Sequence, residues 1–234
     1  MDRPRARALA WWGLTFAVCF GPRDLRAQAV SFESGGLTYQ TMTQDGLTIM
    51  FAPLPTRIRD YYVLQIAVLN GSETVRTIKP EDFRYLAADG FTLQATPARS
   101  VVQEFLRRGG RNDVIQLVST YELGLYGLSR FQSTSGYEVR RRHAMAEQTS
   151  VKLKAAATAS AIVLVPSKLK PGESTDGALF FALQNREFGP GRLIATPDST
   201  HFDFEVGSLF HPGELIRRPR ERTAVSQHPL NQLK

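Results

Sequence analysis

The run Tyr61-Tyr62-Val63-Leu64-Gln65-Ile66-Ala67-Val68-Leu69-Asn70 decides how the rest of the chain is read. One parity holds Tyr62, Leu64, Ile66 and Val68; the other holds Val63, Gln65, Ala67 and Leu69. Side chains alternate between the two faces of a strand, so one face is wholly apolar and the other nearly so. Such a strand belongs inside a sheet, with its second face covered by a further layer or by an insertion. Asn70-Gly71-Ser72 closes it as a turn.

Strand-like segments lie on both sides. Residues 37–43 and 47–53 flank Gln44-Asp45-Gly46, a hairpin signal because Asp-Gly tolerates positive φ. Residues 74–78 form a short strand, and 83–87 pairs with 91–94 around Asp89-Gly90. At Thr96 the period changes. Thr96 suits an N-cap, Pro97 a first helical position, and Gly109-Gly110 a helix end. A second helix is expected after Asn112 and a third, alanine-rich, over 137–161, with 129–136 as a loop. Period two returns at 162–165, 175–183, 192–195 and 201–206. These short strands with close turns predict a mainly β fold, an antiparallel β-sandwich with an α-helical insertion.

The N-terminus reads as an export signal over 1–29. Arg3, Arg5 and Arg7 precede an uncharged run at 8–20, and Ala27-Gln28-Ala29 gives a small-x-small cleavage pattern. The run is shorter than the roughly 20 residues a membrane span needs. Cys19 is the chain's one cysteine, and Val18 before it suits a lipobox poorly, so a mature chain starting at Val30 without lipid is expected. Residues 30–36 are expected as a flexible leader, 37–96 and 162–210 as the sandwich, 97–161 as the insertion, and 211–234 as a disordered basic tail.

The formal charge is +7. Residues 97–160 hold ten Lys/Arg against five Asp/Glu, and 211–234 five against two. Residues 30–96 with 161–210 hold nine against thirteen. The expected sandwich is therefore acidic, and the basic charge sits on the insertion and tail.

Val63–Asn70 as written above, followed by Ile78-Lys79-Pro80-Glu81-Asp82-Phe83 and Asp89-Gly90, resembles secreted bacterial immunoglobulin-like domains of unknown function. So does Leu169-Lys170-Pro171-Gly172-Glu173-Ser174 leading into Gly177-Ala178-Leu179-Phe180-Phe181. The resemblance covers roughly 37–96 and 162–206, implies an immunoglobulin-like sandwich and brings no catalytic residues. Residues 97–160 depart from it.

Little in the chain spells out chemistry. His201, Asp203 and Glu205 share one face of an expected strand in metal-ligand vocabulary, but Phe202, Phe204 and Val206 opposite them make a half-buried strand with a solvated side the better reading. No GxSxG, HExxH, GxxxxGK[ST] or dinucleotide fingerprint occurs. Glu81-Asp82 after Pro80 suits the start of a helical turn. The densest positive cluster is Arg140-Arg141-Arg142, with His143 beside it and Lys152 and Lys154 further along. Arg140, Arg141, Arg142, Lys152 and Lys154 are the candidate partner-binding set, for an envelope protein or an anionic envelope surface, against a plain solvated helix face. Export and the lack of aromatic–basic interleaving argue against nucleic acid. The expectation is an exported, periplasmic or extracellular, non-enzymatic binding or structural module with no catalytic residue, metal or cofactor and no membrane span in the mature chain. Its rivals are an accessory subunit docking through the insertion and a hydrolase with a site where insertion and sandwich meet.

Overall fold

The computed structural model describes residues 28–127, 137–146, 148–184, 186 and 188–207. The expected signal over 1–29, save its last two residues, and the expected tail lie outside the described residues, as do Cys19 and the 129–136 loop.

Strand β4 (Tyr61–Asn70) is buried at every position except Leu69. It runs antiparallel to β3 (Leu47–Pro53) on one side and β9 (Ser174–Ala182) on the other. With β2 (Leu37–Gln44) and β1 (Val30–Ser34) these form a five-stranded sheet ordered β1-β2-β3-β4-β9. A four-stranded antiparallel sheet is ordered β11 (Phe202–Val206), β10 (Gly191–Ala195), β6 (Phe83–Ala87), β7 (Thr92–Gln94). Two short strands, β5 (Arg76–Ile78) and β8 (Ser167–Leu169), pair beside them. Among the described residues four helices fall between β7 and β8: α1 (Ala98–Arg108), α2 (Arg111–Gly127), α3 (Tyr137–Ala146) and α4 (Val151–Ile162).

The alternation of β4 sorts its side chains into two cores. Tyr62, Leu64, Ile66 and Val68 join Ile49, Phe51 and Leu179 of their own sheet and Phe83, Tyr85, Phe202 and Phe204 of the four-stranded sheet. Phe51 meets Phe204 edge-on, with ring centroids 5.1 Å apart. On the other face Tyr61, Val63 and Ala67 pack with Val101 and Phe105 of α1, Leu117 and Tyr121 of α2, and Ala155 and Ala159 of α4. Each fully buried Leu, Ile or Phe contributes roughly 1.5–3 kcal/mol. The helices therefore cover the face of the five-stranded sheet that the four-stranded sheet leaves bare.

Turn chemistry fixes the registers. Asp45 and Gly46 both have positive φ (50° and 75°), the two-residue hairpin geometry whose twist matches the flanking strands. A Cβ on Gly46 would lie 2.9 Å from Ser72, so the hairpin tip closes on the turn after β4, where Gly71 N–H donates to Gly46 O at 2.8 Å. Asn70 is wholly buried at that turn; its amide donates to Thr74 O (2.8 Å) and Leu169 O (2.9 Å), tying β4 to β8.

Several elements differ from the sequence reading. Residues 30–34, expected within a flexible leader, form β1, whose bonds to β2 are backbone ladder bonds that exposed side chains do not announce. The single helix expected over 137–161 is two, because Ser150 is extended (φ −82°, ψ 134°) as the N-cap of α4. Pro97, not Thr96, caps α1, and Thr96 N–H instead donates to Phe180 O at 2.7 Å. The strand expected at 162–165 reduces to a single parallel bridge, Val163 to Ala178, since Ile162 still belongs to α4.

Candidate functional site

The candidate set Arg140, Arg141, Arg142, Lys152 and Lys154 does not form one patch. Along α3 successive residues step about 100° around the axis, so three adjacent arginines face three ways. Arg140 points onto α4, donating from Nε (3.3 Å) and Nη2 (2.9 Å) to Ala161 O. That carbonyl lies in the last turn of α4, where no intrahelical donor remains and a cation complements the dipole. Arg141 pairs with Glu122 of α2 (Nη1 to Oε1, 2.8 Å), and its guanidinium lies 6.0 Å from the Tyr137 ring centroid. Arg142 is exposed and makes no ion pair among the described residues. Two of the three arginines therefore hold the helices together.

Lys152 and Lys154 sit at the opposite end of α4. Nine residues at about 1.5 Å each put Lys152 about 13 Å along the axis from Ala161. Their neighbours come from elsewhere. A Cβ on Gly109 would lie 2.5 Å from the Ala155 Cβ, so the end of α1 and the start of α2 close directly against the first turns of α4. The helix ends at this edge of the layer carry exposed Arg107, Arg108, Arg111 and Lys152 and half-buried Lys154, which point different ways around their own helices. Aliphatic side chains stand among them: Leu106 is 45% exposed, Ile115 56%, Val151 46% and Leu153 43%. Arg111 and Ile115, four apart on α2, share a face.

The acids near this edge are already engaged. Glu104 pairs with Arg107 and, at 3.5 Å, with Arg108. Asp113, nearly buried, accepts from Gly110 N–H (2.7 Å) and from Arg59 (2.9 Å), which fixes the start of α2. Arg111, Lys152 and Lys154 make no ion pair among the described residues and leave the edge positive. Nothing in the sequence linked the Leu106-Arg107-Arg108 and Val151-Lys152-Leu153-Lys154 segments, because their approach depends on how α1 packs on α4.

Where helices meet the sheet, polar side chains are buried. The Tyr39 hydroxyl donates to Gly124 O at 2.5 Å and lies 3.3 Å from Gln65 Oε1. Tyr121 donates to Asp176 Oδ2, and Asp176 is 3% exposed. Burial first, then the Asp176 charge, pushes the Tyr121 phenol well above its ordinary value, and burial pushes Tyr39 up to about 12. Tyr121 thus keeps its proton, and its hydrogen bond to Asp176 pins α2 to β9. Gln65 Nε2, Thr158 Oγ1 and Asp176 Oδ1 are buried without protein partners.

The side chains of His201, Asp203 and Glu205 do not converge on one point. Asp203 accepts both Nε (2.7 Å) and Nη2 of Arg192 across the β10–β11 ladder, while His201 and Glu205 are exposed. No three His, Cys, Asp or Glu side chains gather as metal ligands among the described residues. A cleft of about 860 Å³ opens between the sheet edges, lined by Ser31, Gln40, Ala87, Pro190, Arg192 and Glu205. A smaller one of about 300 Å³ lies between α3 and α4, beside Arg140 and His143. No helix among the described residues is long and apolar enough to cross a membrane. Comparison of the chain with protein-family models, with curated proteins and with solved structures finds no match.

Proposed function

We propose that the protein is an exported, non-enzymatic binding module: an immunoglobulin-like β-sandwich that carries a helical layer and docks through the basic–aliphatic edge of that layer. The sandwich reading draws support from strand order. β11-β10-β6-β7 opposite β3-β4-β9 is the order that an immunoglobulin-type domain gives its G-F-C-C′ and A-B-E strands, with the helices placed between C′ and E. The export reading rests on the 1–29 pattern.

The observation that carries the binding reading is the edge itself. Four aliphatic side chains stand exposed among five basic ones, while the local acids are engaged by arginines. Exposed basic groups raise encounter rates with acidic partners, and aliphatic groups prolong the contact. The buried Tyr121–Asp176 and Tyr39–Gln65 contacts lie under the helices and serve as fastening, which supports binding over the hydrolase alternative.

The test is association of the exported chain with native envelope membranes over a range of salt concentrations. The variant Arg111→Gln/Lys152→Gln/Lys154→Gln is expected to associate more slowly and with a shallower salt dependence than wild type. Identical rates and identical salt slopes would remove the edge from any binding role.

A further inference from the structure

We propose that the free edge of β11 receives an added strand: an extended, basic segment of a partner protein, lying in the cleft beside β1. This contact is on the sheets, apart from the helical layer, so its outcome is independent of the docking reading above.

The two sheets face each other unequally, five strands against four. Thr96, just past β7, donates to Phe180 O at 2.7 Å and sets that end of the smaller sheet over β9. Gln40 of β2 donates from Nε2 to Glu205 O at 2.7 Å and sets β11 over β2. β1 is thus left without a counterpart. The cleft of about 860 Å³ opens there, with Ala29 and Ser31 on one side and Glu205, Val206 and Gly207 on the other.

The ladder shows which groups β11 turns outward. Along a strand between two antiparallel neighbours, successive residues bond alternately to one and the other. Ala88 N–H donates to Pro190 O at 3.1 Å, so Arg192 and Ile194 bond to β6. Gly191, Leu193 and Ala195 therefore bond to Val206, Phe204 and Phe202. Asp203 and Glu205 are left to point their backbone N–H and C=O away from β10. Among the described residues, Glu205 O alone of these four groups has a partner, the Gln40 amide. Free main-chain groups of this kind are what an incoming strand pairs with, and β11 carries no proline or lysine to blunt them.

The position also selects its occupant. Side chains directly opposite in an antiparallel pair share a face. Those opposite Asp203 and Glu205 would face solvent, because Phe202, Phe204 and Val206 fill the core. Glu205 and Glu33 of β1 are exposed and make no ion pair among the described residues, which favours Lys or Arg on the added strand. Its alternate side chains would turn toward Ser31 and Gln40. A second copy of β11 suits the place poorly, since pairing would set Asp203 and Glu205 of the two copies against each other.

The experiment is amide hydrogen exchange, read by nuclear magnetic resonance, with a blocked synthetic peptide that alternates lysine and valine. The Asp203 and Glu205 amides should exchange about tenfold more slowly with the peptide bound. An analogue N-methylated throughout its centre, equal in charge but unable to pair, should slow neither. A glutamate–valine peptide should bind about tenfold more weakly. Glu205→Pro removes an outward N–H and no ladder bond, and should weaken binding about tenfold at an unchanged melting temperature. Glu205→Lys, which keeps that N–H, should reverse the preference between the two charged peptides. Ser31→Pro on β1 should leave binding unchanged. No slowing by the lysine–valine peptide overturns the proposal, as does equal slowing by the N-methylated analogue or slowing at Ser31 and Glu33 instead. Slow exchange of Asp203 and Glu205 in the protein alone would mean that its own chain or a second copy fills the edge, and overturns it too.

Discussion

Gly124→Ala sets two effects of opposite sign against each other. Inside a helix, Gly to Ala ordinarily stabilises by about 1 kcal/mol, because the unfolded chain loses freedom and the helix gains a favourable residue. Gly124 is where α2 lies against the five-stranded sheet. A Cβ there would fall 1.7 Å from Gln65 Oε1, 2.7 Å from Gln65 Cδ and 3.2 Å from Leu54 Cδ2. Gln65 is wholly buried and cannot swing into solvent. Either α2 lifts or Gln65 turns, and in both cases the Tyr39 hydroxyl loses its place between Gln65 and the Gly124 carbonyl. Overpacking costs about 1–3 kcal/mol and a buried polar group left unpaired about 1–3 more. Subtracting the helix gain leaves a net destabilisation of about 1–5 kcal/mol. Urea unfolding of the protein, followed by far-ultraviolet circular dichroism, measures it. Adding Gln65→Ala should recover part of the loss, since it vacates the space the new methyl needs, and the double-mutant cycle should show positive coupling. A neutral or stabilised Gly124→Ala would mean that α2 does not lie on Gln65 as described.

Ile66→Ala should cost about 2–5 kcal/mol by urea unfolding, because Ile66 is wholly buried between the two sheets. Arg140→Gln should cost about 1 kcal/mol through the freed Ala161 carbonyl, while Arg142→Gln stays within about ±0.5 kcal/mol. Alkaline pH should unfold the chain with a definite sign. Tyr39 and Tyr85 are pushed up to about 12 by burial and Tyr121 well above its ordinary value. Above the unfolded value near 10, the unfolded chain loses these protons and the folded chain keeps them. Stability is untouched by these groups below pH 10 and falls between about 10 and 12, at about 1.4 kcal/mol per pH unit for each tyrosine. Phenolate absorbance should rise together with unfolding; titration of these tyrosines in a still folded chain would contradict the burial.

The two-faced burial of β4 could be read from Tyr61–Asn70 because alternation is a local property, and Asp45-Gly46 announced its turn for the same reason. What stayed illegible depends on partners distant in sequence. β1 owes its place to backbone bonds with β2, which its exposed Val30, Ser31 and Phe32 do not signal. The break at Ser150 sits between two stretches that both favour helix, so only the local change to an extended residue marks it. Arg140 and Arg141 look like surface in a run of like charges. Their inward roles follow from α3 packing on α4 and α2, which brings Ala161 and Glu122 within reach. The basic edge was hidden most thoroughly, because it exists only where Gly109 lets α1 settle on Ala155.

β9 completes the five-stranded sheet, yet it begins at Ser174, after all four helices, while its neighbour β4 ends at Asn70. During synthesis β4 must therefore wait, with one edge unpaired and two apolar faces uncovered, until the intervening segment has been made. Helices form from contacts near in sequence and precede long-range strand pairing. The helical segment can thus shelter one face of β4 before β9 arrives, shortening the interval in which an open strand edge invites pairing with another chain. Both ends of that segment are then fastened to β9, Thr96 at Phe180 and Leu164 at Ala178. The strand that arrives last locks in place the shield that protected its site.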